Sequence, residues 1–187
     1  KESRELTAIK LDNATVIDFR TSLVSLVDQL KLDGDPQHAG VQFRASQLVP
    51  DKTKHLTYYN RPDGQSAPGK FRNWSNKKNE NDINKSHINL PFLAMTIAVP
   101  NSKTDGQKSE NSIYTIAYLS DDANPKPSRF SERDYGRFGS YFEATVVTEA
   151  PLNLHYRYWV VDGASKTNTI QNLSDQFANP VKVEVIK

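Results

Sequence analysis

The stretch Leu152–Val161, LNLHYRYWVV, decides the fold. Leu152, Leu154, Tyr156, Tyr158 and Val160 fall on one side of it; His155, Arg157 and Trp159 fall on the other. Apolar residues at every second position mark a half-buried strand, because successive Cβ atoms point to opposite faces. Asp162-Gly163 ends it. Working back along the chain, Phe138–Val147 and Ser112–Leu119 (SIYTIAYL) read as further strands. The polar run Pro100–Asn111, with Asp105-Gly106 at its tip, reads as a hairpin loop. It leads back to the most apolar segment, HINLPFLAMTIAV, which Pro91 divides, so a buried strand is expected from Leu93 to Val99.

Earlier still, Ala14–Leu23 (ATVIDFRTSL) alternates, with Ile17, Phe19 and Thr21 opposite Asp18, Arg20 and Ser22. Leu23–Leu32 has some helical spacing, but its β-branched residues and the turn Asp33-Gly34-Asp35-Pro36 favour more strand. His38–Ala45 alternates strictly: Ala39, Val41, Phe43 and Ala45 form a core face, and His38, Gly40, Gln42 and Arg44 a polar one. Leu56–Asn60 is a short strand before the turn Arg61-Pro62-Asp63-Gly64, and Lys70–Trp74 looks like a strand end. Ser75–Ser86 is rich in Asn and Lys, so an exposed, mobile loop is expected there. In the other direction, Ile170, Leu173 and Phe177 have helical spacing, so Thr167–Phe177 is the one helix candidate, capped by Thr167 or Thr169. Val181–Ile186 is a final alternating strand. Together these predict an all-β protein: a single antiparallel β-sandwich domain over residues 1–187 with one short helix near the C-terminus.

Composition narrows the function classes. The net charge of +2 on 187 residues is too small to imply nucleic acid, and the basic residues form no continuous block. With no cysteine there are no disulfides, thiolate metal sites or Cys nucleophiles. No apolar run approaches the ~18 residues that would indicate a membrane span. There is no P-loop, GxGxxG, GxSxG or HExxH motif, so no cofactor is expected. The four histidines are scattered, and no metal site is expected unless two or three of them converge with a carboxylate.

The unusual stretch is Ala123–Tyr141, ANPKPSRFSERDYGRFGSY. It reads as a long ordered loop, beyond the length of a tight hairpin, held beside a polar strand face. Arg44, Arg72, Arg129, Arg133, Arg137 and Arg157 supply planar multidentate donors. Trp74, Tyr135 and Trp159 supply flat apolar faces, while Gln42, Asn73, Glu132 and Asp134 add hydrogen-bonding groups. A sugar ring needs both kinds of contact, and an acidic or oxidised sugar further accounts for the arginines. The expected partner is therefore a carbohydrate, as a small molecule or oligosaccharide. The substrate-binding candidates are Gln42, Arg44, Arg72, Trp74, Arg129, Arg133, Tyr135 and Arg137. If the site is catalytic, His38 or His87 is the natural general base and Glu132 the natural acid. The alternative is a non-catalytic structural or protein-interaction sandwich, in which Arg–Asp and Arg–Glu pairs pin the loop.

The segments GDPQHAGVQFRAS (34–46), RPDG (61–64), FRNW (71–74), HINLPFLAM (87–95), AYLSDDANPKPSRFSERDYGRFGSYFE (117–143) and LHYRYWVVDG (154–163) resemble a bacterial PmoA-like family of unknown function. The resemblance runs from about residue 14 to the end. The "methane oxygenase" label attached to that family implies a copper-dependent membrane monooxygenase, which a chain without an apolar span contradicts. The resemblance implies a large β-sandwich of the galactose-mutarotase supersandwich kind, a secreted or periplasmic location and association with sugar catabolism. It also implies an additional amino-terminal region with a His-rich motif, so this chain is expected to lack that region or to meet a polypeptide that supplies it.

Overall fold

In a computed structural model of the chain, the described residues are 1–35, 40–72, 87–101 and 110–181. Twelve strands and one helix follow in order: β1 (Glu2–Lys10), β2 (Ala14–Leu23), β3 (Gln29–Leu32), β4 (Gln42–Arg44), β5 (Tyr58–Arg61), β6 (Gly64–Gln65), β7 (Phe92–Pro100), β8 (Asn111–Ser120), β9 (Arg129–Arg133), β10 (Arg137–Tyr141), β11 (Ala144–Val147), β12 (Leu152–Asp162) and α1 (Thr167–Ala178). Two short helical turns, Val49–Thr53 and Lys54–Leu56, lie between β4 and β5. The main sheet has seven antiparallel strands in the order β1-β2-β12-β8-β7-β5-β6. Two small sheets, β4-β10-β9 and β11-β3, accompany it. Among the described residues no helix is long and apolar enough to cross a membrane.

The alternation in β12 separates the two faces of the main sheet. Tyr156 and Tyr158 join Phe19, Leu93, Met95, Ile116 and Tyr118 on the core face, which packs against Phe130 and Phe138 of the three-stranded sheet. Tyr118 stacks on Tyr156, with ring centroids 5.2 Å apart, and meets Phe130 and Phe138 edge-on. The opposite face carries Phe92, Ala94, Ala117, Leu119 and Trp159 and is covered by Ile170, Leu173 and Phe177 of α1. β7 and β8 thus have layers on both sides. That is why their sequences read as nearly continuous apolar runs, while β2 and β12, nearer the sheet edge, alternate.

Several expectations need correction. Residues 129–141 are a β-hairpin, β9–β10, turned through Asp134–Gly136, and not a long loop. Gly136 makes the turn possible. Its φ is +75°, and a Cβ there would lie 2.9 Å from the Ala45 Cβ, so a larger residue would push the hairpin off β4. The expected strand 138–147 is two strands, β10 and β11, in different sheets. β1 comes from residues to which no regular element was assigned. It is exposed throughout and among the described residues pairs only with β2, so it buries too little to leave an apolar pattern. The helix has no side-chain cap: Lys166 is at the N-cap position, and Thr167 donates instead to Asn60 Oδ1 at 2.8 Å. The expected loop over 75–86 and the final strand from residue 182 onward lie outside the described residues, as do His38 and Trp74.

Candidate functional site

The hairpin β9–β10 divides the predicted site residues between its two faces. Glu132 and Arg133 are consecutive in β9, so one side chain points toward the core and the other away from it. Around Glu132, which is wholly buried, a cluster forms. Arg61 Nε donates to its Oε1 at 2.5 Å and Arg61 Nη2 to its Oε2, a bidentate pair. The backbone N–H of Arg72 donates to Oε2 at 2.8 Å. The Arg72 guanidinium itself pairs with Asp63 at 2.6 Å. His87, also buried, donates from Nδ1 to the Phe130 carbonyl at 3.1 Å, since a carbonyl can only accept. Its Nε2 has no hydrogen-bond partner among the described residues and lies 3.9 Å from Glu132 Oε1. Burial lowers the His87 pKa and outweighs the opposing pull of Glu132. Three predicted residues, Arg72, His87 and Glu132, are thus brought together. The partner that anchors Glu132, Arg61, belongs to a segment whose Pro-Asp-Gly signal pointed only to a turn.

The face of the three-stranded sheet turned away from the core carries a second group. The register places Arg44 opposite Arg137, and Arg137 opposite Arg133, so three guanidinium side chains form one row across β4, β10 and β9. Exposure grades along it: Arg44 is exposed, Arg137 half-buried and Arg133 only 7% exposed. Arg137 Nε donates to Gln42 Oε1 at 2.7 Å, which adds the amide of the neighbouring row. Arg133 Nη1 donates to the Glu132 carbonyl at 3.1 Å, while its Nη2 is buried without a hydrogen-bond partner among the described residues. Like charges directly opposite one another on adjacent strands repel. The Arg133 Nη2 thus leaves one buried donor in the row without a hydrogen-bond partner among the described residues. Tyr135, half-buried, sits in the hairpin turn at the end of this row. Arg129 is at the opposite end of β9, paired in register with Tyr141, and does not join it.

Two further pairs on the helix side of the main sheet are absent from the predicted set. Arg157 holds Asp18 through Nε and Nη2, at 2.6 and 2.8 Å, and lies 4.9 Å over the Phe177 ring. These bonds hold the Asp18 carboxyl below the usual carboxylate range. His155 donates from Nδ1 to Asp121 Oδ2 at 3.0 Å. Burial alone would raise the Asp121 pKa, but the Ala123 backbone N–H and His155 outweigh it and lower the value. The only sequence signal for these pairs was the His155/Arg157/Trp159 face of the last long strand. Nothing in a linear pattern shows that Asp18 and Asp121 meet it. No group of three or more His, Asp or Glu residues suited to a metal ion occurs among the described residues.

Fold and site together define a helix-backed antiparallel β protein with an arginine-rich sheet face. The chain belongs to a family of unknown function, DUF6807, whose family model matches residues 1–175. No curated protein and no solved structure matches the chain.

Proposed function

We propose that this protein binds a carbohydrate, specifically a sugar or oxidised sugar, on the outward face of the β4-β10-β9 sheet. The observation that carries this reading is the cross-strand row Arg44–Arg137–Arg133 with its buried, unpartnered Nη2. Guanidinium groups bind carboxylates bidentately, and the exposed end of the row at Arg44 gives a sugar acid a way in. Gln42 adds an amide for a ring hydroxyl, and Tyr135 an aromatic face at the hairpin tip. The resemblance to PmoA-like proteins, with its association with sugar catabolism and a secreted or periplasmic setting, points the same way.

For Glu132 and His87 a second, structural reading is favoured by a specific observation. The Glu132 carboxylate already accepts three hydrogen bonds, two from Arg61 and one from the Arg72 backbone. It therefore braces β9 against β5, as expected for the non-catalytic alternative.

The test is a thermal-shift screen of neutral sugars, uronic acids and oligosaccharides. A ligand at a hundred times its Kd adds about 2.7 kcal/mol to stability. For a chain of this length that raises the melting temperature by roughly 5–10 °C. Uronic acids are expected to give this rise and Arg44→Ala to remove it. No rise with any sugar, or one unchanged in Arg44→Ala, counts against the proposal.

A further inference from the structure

The helix-side face of the main sheet carries an open cleft of about 350 Å³ at the β1-β2-β12 end. Its floor is a grid of polar side chains fixed by strand register. Ser3, Ser22 and Asn153 form one row, and Glu5, Arg20 and His155 the next. Rows and strands repeat at about 5 by 7 Å, the spacing of adjacent strands and of alternate residues along a strand. Asp121, Ala123 and Asn124 form the wall.

Three features indicate what this cleft takes. The floor is loosely held: among the described residues no side chain of Ser3, Glu5, Arg20, Ser22 or Asn153 makes a hydrogen bond or close ion pair, and Arg20 acts on Asp18 and Asp121 only at longer range. Even Glu5 and Arg20, directly opposite in register, form no ion pair. The wall, by contrast, is rigid. Asn124 accepts from the His155 backbone N–H at 2.9 Å and donates to the His155 carbonyl at 2.8 Å, while Asp121 fixes the imidazole. A preorganised wall lowers the ordering cost of binding. The charges are also mixed. Glu5 and Asp121 oppose Arg20, which disfavours a polyanion such as phosphate and offers no cage for a strong cation. Carboxylate acceptors, guanidinium donors and hydroxyl and amide groups that do both, spread over a nearly flat grid, suit a ring bearing several hydroxyls, and of the lining residues His155 carries the one flat ring. The volume is at the lower end of the ~300–1,000 Å³ of small-molecule sites.

We infer that this cleft is a binding site for a neutral, monosaccharide-sized sugar or cyclic polyol, separate from the arginine row. Arg20, Glu5 and Asn153 bind its hydroxyls, and the His155–Asp121 pair forms a fixed edge. The inference does not rest on the arginine row binding anything.

The test is a ¹⁵N-¹H NMR titration of the intact chain with D-glucose, D-galactose and myo-inositol, with D-galacturonate run in parallel. At least one neutral probe is expected to give saturable shifts at residues 3–5, 20–22 and 153–155. Binding is expected to weaken at least fivefold in both Arg20→Ala and Asn153→Ala. Both substituted positions are exposed, so the fold is retained. The inference is overturned if no neutral probe shifts those three strands, if shifts appear only around the arginine row, or if both variants bind as tightly as the wild type. A galacturonate response around Arg44 and Arg137 reports on the arginine row separately.

Discussion

Glu132 is the residue whose surroundings are most sharply defined. Its two oxygens take three donors in a site without solvent, and its partner Arg61 is itself 2% exposed. Removing one charge of a buried pair leaves the other uncompensated, which costs about 3–5 kcal/mol. Glu132→Gln is therefore expected to lose that much stability in urea unfolding; a loss under about 1 kcal/mol would mean the pair is far less buried than described. His87 gives a prediction in pH. Burial lowers its pKa, so the unfolded chain takes up a proton at a higher pH than the folded one. The stability that neutral His87 supplies is present above about pH 6.5 and is lost as pH falls through its lowered folded value. His87→Gln removes that titration, and as pH falls below about 6.5 the unfolding free energy should drop less steeply than in the wild type. An identical slope would place the titration elsewhere. Neither residue's surroundings were legible beforehand. The sequence singled out Glu132 and His87 as groups able to exchange protons, but the pairing of Glu132 with Arg61 depends on β5 meeting β9 across 71 residues of chain, and His87 meets Phe130 across 43.

At the scale of elements, legibility followed the number of layers packed on each strand. The central strands stood out because burial on both faces demands an unbroken apolar run, as in FLAMTIAVP. β2 and β12 stood out because one face of each is core, and the expected bounds of β2, Ala14–Leu23, are those observed. β1 left no pattern because it buries almost nothing. The hairpin β9–β10 was hidden by its own function-like composition: Arg129, Arg133 and Arg137 alternate with Phe130 and Phe138, and a buried acid, Glu132, interrupts the apolar face, so the stretch looked like a loop. The helix was legible from Ile170, Leu173 and Phe177, though its threonines do not cap it. Phe177 is where that helix meets the sheet, touching both His155 and Arg157. Truncating a buried Phe typically costs about 3–5 kcal/mol. Phe177→Ala is expected to show a loss of that order and faster amide exchange throughout α1. Unchanged exchange in α1 would mean the helix is held by other contacts.

The whole molecule presents two polar sheet faces, one on each side of a shared aromatic core. The core-facing tyrosines and phenylalanines set the strand register. That register then aligns Arg44, Arg137 and Arg133 on one outer surface and Glu5, Arg20 and His155 on the other. Four of the predicted binding residues, Gln42, Arg44, Arg133 and Arg137, do share one face, because alternate positions in a strand must. Arg129 is on the same face of β9 but four residues from Arg133, level with Tyr141 and outside the row, while Arg72 lies in no strand of that sheet, since position along a chain says nothing of which segments become neighbours. The central claim is that the arginine row recognises a sugar carboxylate. It is tested most directly by calorimetric titration of D-galacturonate against wild type and Arg44→Ala, with D-galactose as the uncharged comparison. A charge-assisted hydrogen bond contributes about 1.5–3 kcal/mol. Galacturonate is therefore expected to bind the wild type on the order of tenfold or more tightly than it binds Arg44→Ala, and to weaken as salt is raised. Equal affinity for galacturonate in the two proteins, or no binding to either, would contradict the account.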